Sequence, residues 1–220
     1  MSLEEKRRKV KQARKRVRRA DTKLPKNYPL SKKIRAAFNR LFSLLNRSIK
    51  RLNKKAREKR DTGQRIITRK EWGAAPPRSG MAVHSNIVRR VQHHTVYPAL
   101  SPNASMSEEI KRMRQIQAGH FARGFSDIGY HAVVFPSGRV YEGREARYVG
   151  AGVAGYNTGT IHVAADGNYD TQRPTNALVR GCKFAFSVLP GSKTKLYGHR
   201  DLEPNVCPGR YLYNRLDEIK

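Results

Sequence analysis

The chain has 220 residues, with 46 Lys or Arg against 17 Asp or Glu, and a formal net charge of +29. Its 38% hydrophobic content suits one medium core plus an appendage, and two cysteines exclude a disulfide framework. No uncharged apolar run reaches the roughly 18–20 residues that a membrane-spanning helix needs.

The charge is uneven. Residues 1–60 hold 24 basic and 4 acidic residues and carry +20, while the remaining 22 and 13 give the rest of the chain +9. This balance implies an anionic partner, and its sign alone does not choose among nucleic acid, anionic lipid and an anionic cell-wall polymer. The opening "MSLEEKRRKVKQARKRVRRA" has neither an apolar face to bury nor the apolar core of a signal peptide. It is expected to be disordered, or helical only when bound, and the protein is expected to be cytoplasmic at synthesis. "DTKLPKNYPLS" (21–31) reads as a linker or turn. From Ser31 as cap, a basic amphipathic helix is predicted over about 31–60. Ile34, Phe38, Leu41, Leu45, Ile49, Leu52 and Ala56 recur every three or four residues among Lys and Arg. That stripe suits packing on the rest of the chain or on a second copy, an anionic membrane surface, or a polyanion. The predicted division is a basic, partly helical arm over 1–62 and a folded domain over 63–220.

The texture changes from residue 64. "NIVRRVQHHT" (86–95) has a strand-like centre. "MSEEIKRMRQIQAGHFAR" (106–123) has helical spacing, with Ser107 as the expected cap. "YHAVVFPSGRVYEGR" (130–144) reads as two strands around a Pro-Ser-Gly turn, and "GTIHVAAD" (159–166) as a further strand. "TNALVRGCKFAFSVL" (175–189) is an apolar-faced helix, and "RYLYNRLDEIK" a closing one. Intermixed strands and helices predict an α/β fold with a mixed central sheet flanked by helices.

"GHRDLEPNVCPG" (198–209) sets His199 and Cys207 eight residues apart around a short loop. Imidazole and thiolate are the donors zinc prefers, and a catalytic zinc keeps three protein ligands and one open position. "QHHT" (92–95) offers a third nitrogen. In a strand, His93 and His94 point to opposite faces, so one of them is available to the site.

"RKEWGAAPP" (69–77), "VQHHT" (91–95), "RGFSDIGYHAVVFPSGRVYEGR" (123–144), "GYNTGTIHVAADGNYD" (155–170) and "GHRDLEPNVCPG" occur in that order. Together they resemble the zinc-dependent N-acetylmuramoyl-L-alanine amidases of the peptidoglycan recognition protein and phage lysozyme-amidase superfamily. The resemblance covers about 64–220. It implies the amidase/peptidoglycan recognition fold and one catalytic Zn2+ held by His93, His199 and Cys207. It also implies hydrolysis of the amide between N-acetylmuramic acid and the L-alanine of the stem peptide, with peptidoglycan as substrate. It places Tyr130 at the attacking water or the oxyanion. Relatives that bind without cutting have typically lost the cysteine that this chain keeps at 207.

Two departures from the pattern stand out. Asn205 occupies the position, two residues before the cysteine, where related enzymes carry a Lys or Thr that assists the intermediate. Gly152 replaces a His that lines the cleft in many relatives. His94, Trp72 and Gly152 are thus candidates for the substrate cleft, Trp72 being equally suited to packing in the core. His120 and His131 read as structural, Cys182 as a buried free thiol, and Arg144 and Glu142 as a structural pair. His162 stands where relatives often carry Gly, and the sequence offers no role for it. The basic arm resembles the organisation of phage endolysins or virion-associated lysins, which act on the cell wall after release. A non-catalytic peptidoglycan- or polyanion-binding module is the alternative. In a third reading the arm docks on nucleic acid or a virion, with the domain as passenger.

Overall fold

A computed structural model describes residues 64–220 except Ser79 and Val96, together with ten helical positions scattered between Lys9 and Ser48. The chain divides into two compact units, Met1–Gly63 and Gln64–Lys220. Leu44, which falls within the predicted helix of 31–60, is helical. Linker 21–31 and the stripe residues Ile34, Phe38, Leu41, Leu45, Ile49, Leu52 and Ala56 lie outside the described residues. Among the described residues no helix is long and apolar enough to cross a membrane.

The second unit is built on a six-stranded mixed sheet. Its strands are β1 (Ile66–Ile67), β2 (Arg89–His94), β3 (Ala132–Val134), β4 (Val140–Glu142), β5 (Thr160–Ala165) and β6 (Lys195–Gly198). Their spatial order is β1-β4-β3-β5-β2-β6. Only β3 and β4 run antiparallel, joined by the tight Pro136-Ser137-Gly138 turn. Gly138 sits there at φ 90°, a backbone that a Cβ disfavours. Central strands β2 and β5 are buried almost along their length, as a sheet covered on both faces requires.

Side-chain alternation splits the core into two layers. Ala132, Val134, Ile161, Val163 and Ala165 pack beneath α3 (Asn176–Val188), with Leu178, Cys182, Ala185 and Phe186 facing them. Leu212, from α4 (Arg210–Tyr213), and Leu216 and Ile219, from α5 (Leu216–Ile219), close that layer. On the opposite face Val133, Phe135 and Tyr141 meet Met113 and Ile116 of α2 (Met106–Ala122) and Trp72 of α1 (Arg69–Trp72).

Two expectations about elements need correction, and two strands went unread. The cap of α2 is Ser105, not Ser107. Its hydroxyl accepts from the Glu108 amide while Glu108 reaches back to the Ser105 N–H, a capping box two residues earlier than read. The closing helix is two separate turns, α4 and α5, broken at Asn214 and Arg215. Strands β1 and β6 are too short to show a period in the sequence; they exist because parallel neighbours satisfy their backbone groups.

A buried carboxylate ties α2 to the β3–β4 hairpin. Glu109 is fully buried and accepts from Ser137 Oγ (2.6 Å), Arg139 Nε (2.5 Å) and Tyr141 OH (2.8 Å). Burial, and after it the Glu109 charge, push the Tyr141 phenol well above its usual range, so it remains a donor. Arg139 is the cation that offsets this charge. Arg139→Ala is expected to lower unfolding free energy by about 3 kcal/mol, the low end for stranding one member of a buried pair, because the guanidinium is partly exposed. Denaturant unfolding against wild type measures it; a loss within about 0.5 kcal/mol would show that the pair contributes nothing.

Candidate functional site

The site forms where β2 and β6 end. β2 lies parallel to β6 with Gln92 opposite Gly198. The next residue on each strand is a histidine, so His93 and His199 emerge side by side, ring centroids 4.7 Å apart. This is the carboxyl edge of the sheet, where open α/β sheets bind ligands.

His199 begins a 3₁₀ turn, His199–Asp201, that reverses the chain. Asp201 braces the turn. Its carboxylate accepts from the Gly198 amide (2.8 Å) and the Tyr213 hydroxyl (2.6 Å). The following loop folds back so that the Arg200 amide donates to the Cys207 carbonyl (2.8 Å). Asn205 stitches it internally: Oδ1 accepts from the Cys207 amide (2.9 Å) and Nδ2 donates to the Glu203 carbonyl (2.8 Å). Cys207 Sγ then accepts from the backbone N–H of His94 (3.3 Å).

The result is a cluster of three soft or borderline donors. One ligand atom each from His93, His199 and Cys207 lies within 4.8 Å of the others. A tetrahedral ion with bonds of about 2.0–2.3 Å holds its ligand atoms roughly 3.3–3.8 Å apart, so a small contraction suffices to chelate one. Two imidazoles and a thiol, joined by no fourth protein ligand among the described residues, make a donor set of the kind that a zinc ion with an open position accepts. The residues fit the ion.

The electrostatics follow burial. Desolvation, and then His199, push the His93 imidazole well below its usual range. Burial lowers His94, His120 and His131 to about 4. Desolvation raises Cys207 to about 12 although the His94 amide opposes it. It also raises the Tyr130 phenol to about 12, with Cys207 adding to the effect. The ring of half-buried Tyr130 lies 5.2 Å from that of His93 and edge-on to that of His120.

A pocket of about 340 Å³ opens beside the cluster, walled by His94, Thr95, Tyr97, His120, Arg123 and Tyr130. His94 turns away from His93 along the strand, and its Nδ1 accepts from the Tyr169 amide (3.1 Å). His120, Tyr97 and Arg123 escaped the sequence reading as wall residues. The available signal was the three- and four-residue spacing of Ile116, Gly119, His120 and Arg123 along one face of α2.

Other candidates fall elsewhere. Trp72 is not a cleft residue: its side chain is completely buried, and Nε1 donates to the Glu142 carbonyl (2.8 Å). Arg144 and Glu142 do not pair. Arg144 donates to the carbonyls of Asp127, Ile128 and Val149, while Glu142 accepts from the Arg69 amide. Cys182 is buried and free, as read. Gly152 lies against the rings of His93 and His162, and its N–H donates to Asn157 Oδ1 (2.8 Å).

A mixed sheet with a two-histidine, one-cysteine cluster at its carboxyl edge and a pocket alongside defines an α/β domain with a candidate metal centre. The chain belongs to the N-acetylmuramoyl-L-alanine amidase family, whose model matches residues 84–210. It is 32% identical over 160 residues to peptidoglycan-recognition protein SC2 of Drosophila simulans, covering 70% of this chain and 85% of that protein. It is 35% identical over 162 residues to the N-acetylmuramoyl-L-alanine amidase of Homo sapiens, covering 69% of this chain and 27% of that one. A point mutant of Drosophila peptidoglycan recognition protein LB, solved in complex with tracheal cytotoxin, superposes with a TM-score of 0.63 at 28% identity, over 70% of this chain and 93% of that one. The family therefore includes proteins named for recognition as well as for hydrolysis.

Because Asp201 holds both the strand end and the turn that carries His199, Asp201→Ala should cost about 1 kcal/mol, the net worth of a hydrogen bond whose exposed second partner can turn to water. Hydrogen exchange at the Gly198 amide should accelerate in this variant. Unchanged protection there would mean that the turn does not depend on the carboxylate.

Proposed function

We propose that the Gln64–Lys220 unit is a zinc-dependent hydrolase cleaving the amide between the lactyl group of N-acetylmuramic acid and the L-alanine of the stem peptide. The observation that supports this most directly is the gathering of His93, His199 and Cys207 beside the pocket. Those three residues would hold the ion. When bound, zinc supplies Lewis-acid chemistry, polarising a carbonyl and lowering the pKa of water toward about 7. The protein supplies the rest. The Tyr130 phenol, held protonated by burial, is a donor for the oxyanion of the tetrahedral intermediate. His94 and the pocket wall orient the muropeptide, in keeping with the tracheal cytotoxin held by the structural relative. Asn205 brings no charge, and both ends of its amide are engaged in the loop. Its part in this reading is to hold Cys207 in place.

The purified protein is expected to contain one zinc per chain and to release L-alanine amino termini from sacculi. Cys207→Ser should greatly weaken zinc binding, since a neutral hydroxyl replaces a thiolate. A full zinc complement with normal turnover in that variant would overturn the ligand set. Tyr130→Phe should keep its zinc and lose about 10²–10³-fold in turnover, the effect of removing one oxyanion donor. Wild-type turnover would return Tyr130 to a packing role. A second reading, recognition without cleavage, draws support from the committed amide of Asn205 and from relatives named as recognition proteins. It predicts muropeptide binding by the zinc-loaded protein with no new amino termini.

For the arm, we propose delivery to an anionic surface, as in a phage endolysin or virion-associated lysin that meets the wall after release. The +20 carried by residues 1–60 supports it. Residues 64–220 alone should retain zinc and cleave small soluble muropeptides at the full-length rate. On whole cells the full-length protein should be faster, and salt should shrink that advantage by screening. Loss of folding or of soluble-substrate activity in 64–220 would show that the arm belongs to the domain. Steep salt-dependent DNA binding by the arm, with no gain on cells, would favour a nucleic-acid role.

A further inference from the structure

One buried histidine has no part in the scheme so far. His162 lies on β5 and is completely buried. β5 pairs with β2 so that His162 faces Val91, which makes it the diagonal neighbour of His93 on the same face of the sheet. Its Nδ1 lies 2.9 Å from Nε2 of His93, the distance of one hydrogen bond whose direction is set by the tautomers of the two rings, and its own Nε2 is buried without a partner among the described residues. The rings meet at 49° with centroids 5.1 Å apart. Gly152 makes the room: a Cβ there would come 2.6 Å from His162 Nδ1 and 3.0 Å from His93 Nε2.

The hydrogen bonds of the other histidines show what this contact does. His84, His94, His120 and His131 each accept a backbone N–H at Nδ1. Among the described residues no hydrogen bond engages Nδ1 of His93 or of His199. Each of those two is held through Nε2 instead, His199 by Glu203 (3.0 Å) and His93 by His162. The two candidate ligands are thus anchored by the same nitrogen, leaving the same nitrogen uncommitted. Metal-binding imidazoles are commonly oriented in this way, by a partner that accepts their second N–H. Here one of the partners is an imidazole rather than a carboxylate or carbonyl.

We propose that His162 is a positioning residue for the metal centre: it accepts the Nε2 proton of His93 and so presents Nδ1 of His93 to the ion. The proposal rests on the reading of His93, His199 and Cys207 as zinc ligands. Zinc affinity in competition with a chromophoric chelator tests it. His162→Ala should weaken zinc binding by about 10–100-fold, the usual effect of losing such a partner. His162→Asn places an amide oxygen near the position of Nδ1 and should restore most of the affinity. Gly152→Ala should weaken binding as well, by driving a methyl group into the pair. Nitrogen-15 NMR of the zinc-loaded wild type should show His93 protonated at Nε2 and metallated at Nδ1, with coupling from Nε2 to Nδ1 of His162. Circular dichroism of the zinc-free variants separates loss of fold from loss of the ligand's orientation.

Wild-type zinc affinity in folded His162→Ala, or metallation of His93 at Nε2, would overturn the proposal while leaving the ligand set standing. Equal loss of zinc in folded His162→Ala and His162→Asn would also count against it, since the acceptor would then be irrelevant. A wild-type protein whose zinc binding is indifferent to Cys207→Ser would bring down the underlying reading instead, and the proposal with it.

Discussion

The parallel pairing of β2 with β5 on one side and β6 on the other is the constraint on which the site depends. It sets His93 beside His199 on one flank and diagonally to His162 on the other. Slipping β2 by one residue would move each of its side chains to the opposite face, setting His94 rather than His93 beside His199. Register is well defended, because both faces of β2 and β5 are buried and every residue from Arg90 to His94 is packed. The apolar layers above and below the sheet thus hold the geometry of a polar site at its edge.

Concentrating histidines in such an interior is costly, and the structure shows how that cost is contained. Burial keeps the imidazoles of His93, His94, His120, His131 and His162 below their usual range, which avoids buried charge. Neutral rings still need partners for their nitrogens. Backbone amides supply one at four of the seven histidines, and ring-to-ring or ring-to-carboxylate bonds supply one at the other three, while Nε2 of His84 and of His162 stays buried without a partner among the described residues. Where backbone donors take Nδ1, the ring is committed to the fold. Where they leave it free, at the end of β2 and in the turn after β6, the ring is available for chemistry.

The loop from His199 to Gly209 gives the same lesson in an irregular segment. Beyond its opening 3₁₀ turn and the Arg200–Cys207 backbone bond, side chains hold it. Asp201 braces its start, Asn205 its middle, and the His94 amide reaches the sulfur itself. Asn205 illustrates how a departure from a family pattern changes meaning in three dimensions. As a sequence substitution it reads only as a charge absent from the resembled pattern; as a structural residue it shapes the approach of Cys207.

Much of this was legible in the sequence. Long, strongly patterned elements declared themselves, because burial on both faces or on one helical stripe leaves a period: β2, β5, α2 and α3. The short strands β3 and β4 were legible through the Pro-Ser-Gly turn between them. The three-residue donor cluster was legible through motifs, since zinc chemistry accepts few residue types. The sequence could not place β1 or β6, because two- and four-residue strands carry no period and exist only through their neighbours. Nor could it separate Trp72 as a core residue from Trp72 as a cleft wall, since an indole suits either until packing decides. Gly152 and His162 make the clearest case. Ten residues apart in the chain, they read as unrelated oddities, one a missing side chain and the other an extra one. In the folded domain they touch, and the glycine leaves the space into which the histidine reaches to hold His93. Sequence periodicity and motif chemistry determine which residues are buried and which can bind an ion. Only the sheet register and the loops that close over it decide which nitrogen each residue offers, because that depends on neighbours far away along the chain.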